Sequence, residues 1–205
     1  MHMSAFPRNG VVLVCLLAIM LLLPVGLLAE DSVAVTASVP MVSQTPGTAV
    51  YDIVLHEKQA TRNNVALGVE YRHWFKHFGL EISANRVNTE SKFTNGAAVT
   101  AFSVHRYEIS GVILHRFRRL EGSRIQPFIG AGTGVMLFNG SHSAGWAHSV
   151  EGVLTSGMDI PITHRVSFKT AMRYHVFMNT GFGDGHYYPT LAHAVEPTIG
   201  VRFKF

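Results

Sequence analysis

Apolar and polar residues alternate along eight segments of this 205-residue chain. Period-two alternation predicts β-strands, because successive side chains of a strand point to opposite faces of the sheet. We assign every acidic and basic residue of these segments to the polar face, so that the other face is uncharged. The segments lie at residues 48–57, 64–73, 77–86, 102–116, 125–138, 148–160, 164–177 and 192–205.

The low fraction of charged residues suits a β-sheet that faces lipid on one side. Charged residues make up 15% of the chain, against roughly 25% in ordinary soluble domains. Beyond residue 30 no apolar run approaches the roughly 18 residues of a membrane helix. A charge at the lipid midplane of a barrel costs about 2–4 kcal/mol, which would enforce an uncharged face. We therefore predict an all-β fold, an eight-stranded antiparallel up-and-down transmembrane β-barrel. A very apolar soluble domain is the alternative that alternation by itself leaves open.

The N-terminus resembles an export signal. Arg8 precedes an apolar run over residues 11–23, and cleavage is expected after Ala29, although Leu27 departs from the small-residue pattern of cleavage sites. An uncleaved anchor helix is the alternative. The only cysteine, Cys15, lies in this run, so the mature chain would form no disulfide. We predict a signal peptide at 1–29, a periplasmic lead-in at 30–46 and a barrel at 47–205, because the two prolines of the lead-in argue against a central strand.

The connections between segments predict the orientation. Short turns are expected at 74–76, 118–123 and 161–163, and longer external loops at 58–63, 87–101, 139–147 and 178–191, as in outer-membrane barrels. Eight strands place both termini on the periplasmic side. Aromatic residues near the connections suit interfacial girdles. These residues are Trp74, Phe75, Trp146, Tyr187 and Tyr188.

An eight-stranded barrel is just wide enough for its own side chains to fill the interior. A tight turn at 161–163 would pair Asp159 with Arg165, Thr155 with Lys169 and Glu151 with Arg173. The predicted lumen charge network is Glu151, Arg173, Asp159, Arg165, Lys169, Glu108, Glu70 and Arg202, and the wider inward set adds Asp52, Glu81, Glu196, Arg72 and Arg106. Buried charges need partners of opposite sign, which this mixture supplies. A solvated pore with the same lining is the alternative.

Two motifs resemble those of a known superfamily. Residues Thr198 to Phe205 are similar to the C-terminal signal read by the barrel-assembly machinery, with Gly200, Phe203 and Phe205 at its defined positions. Residues Gln126 to Val135 resemble a phrase of the small OmpA-like outer-membrane barrels. The resemblance covers about residues 48–205. It implies the outer membrane of a Gram-negative-type bacterium, with outer-membrane lipid, lipopolysaccharide and the assembly machinery as partners.

A weaker resemblance concerns residues 173–181, which are similar to the active-site strand of outer-membrane lipid A 3-O-deacylases. Val176 and Met178 stand where that family has its catalytic His and Ser, whereas Asn179 and Gly181 match. Val and Met can neither accept a proton nor attack an ester. We therefore assign no catalytic residue.

Histidine is abundant, with 12 residues. His142, His148, His186 and His193 flank two predicted loops, and His56 and His175 are expected near the outer mouth. A metal-binding or pH-sensing cluster is conceivable there, but no pair has tight ligand spacing, so we assign no metal site and no cofactor. The Ser141-His142-Ser143 and His148-Ser149 pairs have no evident orienting acid and make no triad. The alternating glycines 130, 132 and 134 are expected to relieve crowding inside a narrow barrel.

The sequence therefore predicts a monomeric outer-membrane barrel with a filled lumen and a structural or surface-interaction role, leaning away from an enzyme. A lipid A 3-O-deacylase-like enzyme and a narrow porin are the alternatives. Nucleic acid is not an expected partner, because the net charge of +4 is spread along the chain.

Overall fold

The computed structural model describes residues 30–44, 65–95, 98–117, 124–140, 146–179 and 190–205. These parts of the chain contain nine strands. The strands are β1 (Glu30–Ser38), β2 (Met41–Gln44), β3 (Ala66–Phe75), β4 (Phe78–Asn95), β5 (Ala98–Arg116), β6 (Gln126–Gly140), β7 (Trp146–Pro161), β8 (Val166–Asn179) and β9 (Thr190–Lys204). No helix in these ranges is long and apolar enough to cross a membrane.

The strands form one closed antiparallel barrel. From β3 to β9 each strand pairs with the next one along the chain, and β1 pairs with both β3 and β9. β2 continues β1 along the edge of β9, so these two segments together make one wall strand and the barrel has eight. The predicted all-β, eight-stranded, up-and-down architecture is confirmed.

The first wall strand begins earlier than predicted. Residues expected to form a lead-in are β1 and β2, so the predicted boundary at residue 47 is wrong. β1 directs small residues such as Ser32 and Thr36 inward, where they are buried. Pro40 lies in the two-residue break between β1 and β2, where it removes no ladder hydrogen bond. The Val39 amide donates across this break to the Pro197 carbonyl at 3.2 Å.

Some sequence predictions concern residues that the structure does not describe. They are the signal peptide at 1–29, the strand at 48–57 with Asp52 and His56, the loop at 58–63, the turn at 118–123, the loop residues Ser141, His142, Ser143 and His186, and Tyr187, Tyr188 and Gly181.

The predicted long loop at 87–101 is wrong. Here β4 and β5 form an extended hairpin whose pairing continues to Asn95 and Ala98. Antiparallel strands can pair without a continuous apolar face, so the polar residues of this stretch do not prevent the hairpin.

The β7–β8 register also differs from the prediction. Glu151 lies opposite Phe177 instead of Arg173, while Thr155 faces Arg173 and Asp159 faces Lys169. The turn occupies residues 162–165. It is stabilised by hydrogen bonds from the Ile162 and Thr163 amides to the Val166 carbonyl, and from the Arg165 and Val166 amides to Thr163 Oγ1. The partner moves by four residues, from 173 to 177. This even number keeps each side chain on its predicted face.

The outer surface of the wall is apolar. Exposed hydrophobic side chains occur on almost every strand, among them Ile109, Ile113, Val150, Leu154 and Ile199. Arg86 is an exception to the predicted uncharged face. It is exposed on β4 and lies over the ring of Tyr107, with 5.7 Å between the guanidinium carbon and the ring centroid.

Candidate functional site

The lumen is filled by a charge network centred on Glu81. This carboxylate accepts from the guanidinium groups of Arg72 and Arg173, both at 2.6 Å, and of Arg202 at 3.3 Å. The ammonium group of Lys169 lies 3.4 Å from the same carboxylate. All five side chains are at most 1% exposed. One buried anion thus contacts four cations that come from β3, β8 and β9.

Glu70 shares three of these cations. It accepts from Lys169 at 2.5 Å, from Arg202 at 2.9 Å and from Arg173 at 3.0 Å. Because β3 and β8 are not neighbours in the wall, the contacts of Glu70 with Lys169 and Arg173 cross the interior.

Asp159 completes the network from β7. Its carboxylate accepts from Arg72 Nη1 at 2.7 Å and lies 3.5 Å from Arg202 Nε. β3 and β7 are four positions apart around the barrel, so the Arg72–Asp159 contact joins opposite walls. The contact therefore spans the lumen at this level.

An apolar floor, the buried cluster that includes Trp74 and Phe128, lies inside the barrel at the end where Glu30 pairs with Trp74. Trp74 and Phe128 belong to a buried cluster with Val112, Leu114, Val153 and Ala171. The Arg72 guanidinium lies 4.3 Å from the Phe128 ring centroid and 5.3 Å from that of Trp74, distances suited to cation–π contact. Trp74 is 7% exposed, so its predicted place in an aromatic girdle is wrong. Phe75, next to it, is 61% exposed and faces outward.

A second cluster lies on the other side of the network, toward the Asn95–Ala98 end of the β4–β5 hairpin, and is built around His175. His175 Nδ1 lies 2.8 Å from Glu151 Oε2 and 3.9 Å from Glu108 Oε1, and Nε2 lies 3.6 Å from Glu196 Oε2. Arg106 Nη2 is 3.6 Å from Glu196 and 3.8 Å from Glu108. All five residues are buried, so the predicted position of His175 at the mouth is corrected to the interior.

Neighbouring polar side chains hold two of these carboxylates. Asn85 Nδ2 donates to Glu108 Oε1 at 3.1 Å, and the Ser38 hydroxyl donates to Glu196. Ser38 was missed by the sequence analysis because its strand was interpreted as a lead-in. Ser38 follows Ser32, Ala34 and Thr36 at every second position, and this alternation of small residues could have indicated a strand with Ser38 facing inward.

Most residues of the predicted charge network lie in the lumen, as the alternation of apolar and polar residues predicted. The structure places Glu151, Arg173, Asp159, Lys169, Glu108, Glu70 and Arg202 in the lumen. Arg165 is exposed in the 162–165 turn and does not belong to the network. The error follows from the turn, which was assumed to be shorter.

The residues of the C-terminal motif lie on β9 and at its end. A Cβ on Gly200 would meet the Val35 carbonyl oxygen at 2.6 Å, so only glycine fits this close approach of β9 to β1. Phe203 and Phe205 are 49% and 76% exposed on the outer face.

The strand that resembles a deacylase active site carries no catalytic dyad in its described part. Val176 faces outward opposite His193 of β9. The His193 Nδ1 atom lies 2.7 Å from the Tyr174 hydroxyl. Asn179 and Met178 are in β8, but the structure describes the side chain of neither. His148 is exposed on β7.

A closed eight-stranded antiparallel barrel with an apolar exterior and a charged, filled interior is the fold of the small outer-membrane β-barrels. The chain is similar to the crystal structure of Neisserial surface protein A, with a TM-score of 0.60, 16% identity and coverage of 87% of this chain and 100% of that one. It is also similar to the outer membrane protein OprG from Pseudomonas aeruginosa, with a TM-score of 0.57, 15% identity and coverage of 86% and 95%.

The outer membrane protein AlkL, solved in lipid bilayers, matches with a TM-score of 0.53, 13% identity and coverage of 89% and 95%. No protein-family model and no curated protein matches the sequence. At these identities the likeness establishes the barrel fold. The chain thus has the architecture of an outer-membrane protein, and its exterior belt is the surface that such a barrel presents to lipid.

Proposed function

We propose that this chain is a closed, non-enzymatic barrel in the outer membrane of a Gram-negative-type bacterium, with a structural or surface-interaction role. The observation that carries this proposal is the Glu81-centred network, in which one carboxylate contacts four cations. A lumen filled in this way gives ions no continuous aqueous path. The remaining contact surface would then be the outer connections and the lipid-facing belt.

The cross-barrel contacts support this proposal against a narrow porin. Arg72 on β3 reaches Asp159 on β7, and Lys169 on β8 reaches Glu70 on β3. Below them, Trp74 and Phe128 add an apolar layer that water does not wet readily. A solute would have to break several buried ion pairs in order to pass, and each break leaves uncompensated buried charges.

A lipid A 3-O-deacylase-like activity is the second candidate, because residues 173–181 resemble the active-site strand of that family. Against it, Val176 and Met178 replace the two reactive residues. Mass spectrometry of lipid A from cells with and without the gene separates the two proposals. We expect identical acylation in both. Loss of one ester-linked acyl chain only when the protein is present would establish the enzyme instead.

Planar-bilayer recording tests the closed lumen. The folded protein, reconstituted at a density at which a general porin gives regular conductance steps, is expected to give none. Stable, large unitary steps from the folded protein would contradict the proposal and favour the porin.

A further inference from the structure

We propose that Glu108, Glu151 and His175 form a binding site for a divalent transition-metal cation in the lumen. The site lies on the side of the Glu81 network away from the Trp74–Phe128 floor. The proposal concerns a cation held inside the barrel and does not depend on the function proposed above.

The geometry brings three ligand atoms of suitable type together. One carboxylate oxygen of each glutamate and one ring nitrogen of His175 lie within 4.8 Å of one another. The ligands come from β5, β7 and β8, so they do not form a short sequence motif. β6 runs between β5 and β7, and its Gly134 faces Glu151. A Cβ at Gly134 would come within 2.4 Å of Glu151 Oε1, so the glycine leaves the space that this carboxylate occupies.

Several polar atoms of the cluster lack hydrogen-bond partners within the described residues. They are Glu108 Oε2, Glu151 Oε1, Glu196 Oε2 and His175 Nε2, and on Arg106 they are Nε and Nη2. The side chains of the three glutamates and His175 are at most 1% exposed. Buried polar groups are normally paired, and a group without a partner calls for an explanation such as an ion. Each of the two glutamate ligands thus keeps one buried oxygen without a partner, Glu108 Oε2 and Glu151 Oε1, which a cation bound by the carboxylate would help to satisfy.

The local charge has the sign that a cation requires. Glu108, Glu151 and Glu196 carry three negative charges, and Arg106 returns one positive charge. Its Nη2 atom stays 3.6 Å and 3.8 Å from the nearest carboxylate oxygens, beyond hydrogen-bond distance. With His175 neutral the cluster has a net charge of −2, which a divalent cation balances. A proton on His175 is the competing occupant, and it would change the net charge of these five side chains from −2 to −1.

The ligand types select the kind of ion. Ca²⁺ and Mg²⁺ prefer oxygen ligands alone, whereas one imidazole with two carboxylates suits Zn²⁺ and similar transition metals. At present His175 Nδ1 and Glu151 Oε2 are 2.8 Å apart, the distance of a hydrogen bond. On binding, the cation would replace the proton between them. Glu196 Oε2 lies 3.6 Å from the other ring nitrogen, so a small approach would let it accept a hydrogen bond and orient the imidazole.

Zinc titration of the folded full-length protein, followed by calorimetry in detergent, tests the site. We expect saturable binding of one Zn²⁺, weakened about tenfold or more in Glu108→Gln and Glu151→Gln. Asp159→Asn is the matched control, because it removes a lumenal carboxylate outside the cluster and is expected to leave the affinity unchanged. Arg106→Gln is expected to bind Zn²⁺ more tightly, because it removes the competing positive charge.

Two results of the titration would overturn the proposal. The first is the absence of saturable Zn²⁺ binding to the wild-type protein. The second is equal binding by the wild type and both glutamate variants, which would place the zinc on other histidines of the chain or leave His175 to a proton. If the variants do not fold, a measurement on the wild-type protein alone still tests the site. Zn²⁺, but not Mg²⁺ at the same concentration, should raise the temperature at which the folded gel band converts to the unfolded one, and no such shift would refute the site.

Discussion

Arg72 and Glu81 face each other across the β3–β4 hairpin, and their side chains meet inside the barrel with 2.6 Å between Nη2 and Oε2. The two residues are directly opposite in the ladder, so the hairpin register itself forms the ion pair. Glu81 then reaches β8 and β9 through Lys169, Arg173 and Arg202. One hairpin pair thus ties together strands that are distant in the sequence.

Glu81→Gln is expected to destabilise the barrel strongly. The substitution keeps the shape but removes the anion that four cations share. Removing one partner of a buried ion pair costs about 3–5 kcal/mol. Urea unfolding in lipid vesicles measures this loss. The control is Glu30→Gln, because Glu30 is 58% exposed in its pair with Arg116 and should contribute no more than about 1 kcal/mol. Equal effects of the two substitutions would contradict the filled lumen.

Two glycines of paired strands provide a matched test of lumen crowding. At Gly134 a Cβ would lie 2.4 Å from Glu151 Oε1 and 2.7 Å from the Ile109 carbonyl oxygen, whereas at Gly152 nothing lies within 4 Å. We expect Gly134→Ala to cost about 1–3 kcal/mol through overpacking. Gly152→Ala should leave the free energy of unfolding unchanged or raise it slightly. The same vesicle unfolding assay compares them, and a neutral Gly134→Ala would be inconsistent with the side-chain arrangement described.

The lipid-facing belt can be tested by inserting a charge. Leu154 is 55% exposed near the middle of β7 and Ile162 is 62% exposed in the turn that follows. Arginine at the bilayer midplane of a barrel costs about 2–4 kcal/mol, and near the interface about 0–1 kcal/mol. Leu154→Arg should therefore lower the free energy of unfolding in vesicles much more than Ile162→Arg. Similar values for both would show that the β7 surface does not lie in lipid.

The sequence correctly predicted which side chains of most strands face the lumen and which face outward. Residues such as Glu70, Glu108 and Arg202 were assigned to the lumen because lipid forbids their charges on the other face. The face on which a side chain lies depends only on its position within its own strand. It does not depend on the register between strands, so the assignment to the lumen stayed correct despite the four-residue error at the β7–β8 turn.

Positions that depend on turns or on three-dimensional contact were not predictable in the same way. The exposed place of Arg165 depends on the hydrogen bonds that Thr163 makes within its turn. Trp74 was expected at the interface, but Gly79 beside it leaves space for the indole, since a Cβ there would lie 2.5 Å from the ring. The cluster of His175 with Glu108 and Glu151 joins three strands, so local spacing gave no signal of it.

The first strand shows how one rule can mislead when it is applied alone. The two prolines of residues 30–46 were taken to argue against a central strand there, yet Val33, Val35 and Ala37 alternate with small residues just before Pro40. The proline is accommodated because it falls in the break between β1 and β2.

Closure of the barrel through β1 is the central claim, because the filled lumen depends on it. Val35 of β1 lies opposite Val201 of β9. In a Cys15→Ser background, the pair Val35→Cys and Val201→Cys should be joined by a short bis-maleimide in the folded protein and not in urea. The pair Val35→Cys and Ile129→Cys, on opposite walls, should not be joined in the folded state. Failure of the first pair to cross-link when folded would contradict closure through residues 30–38.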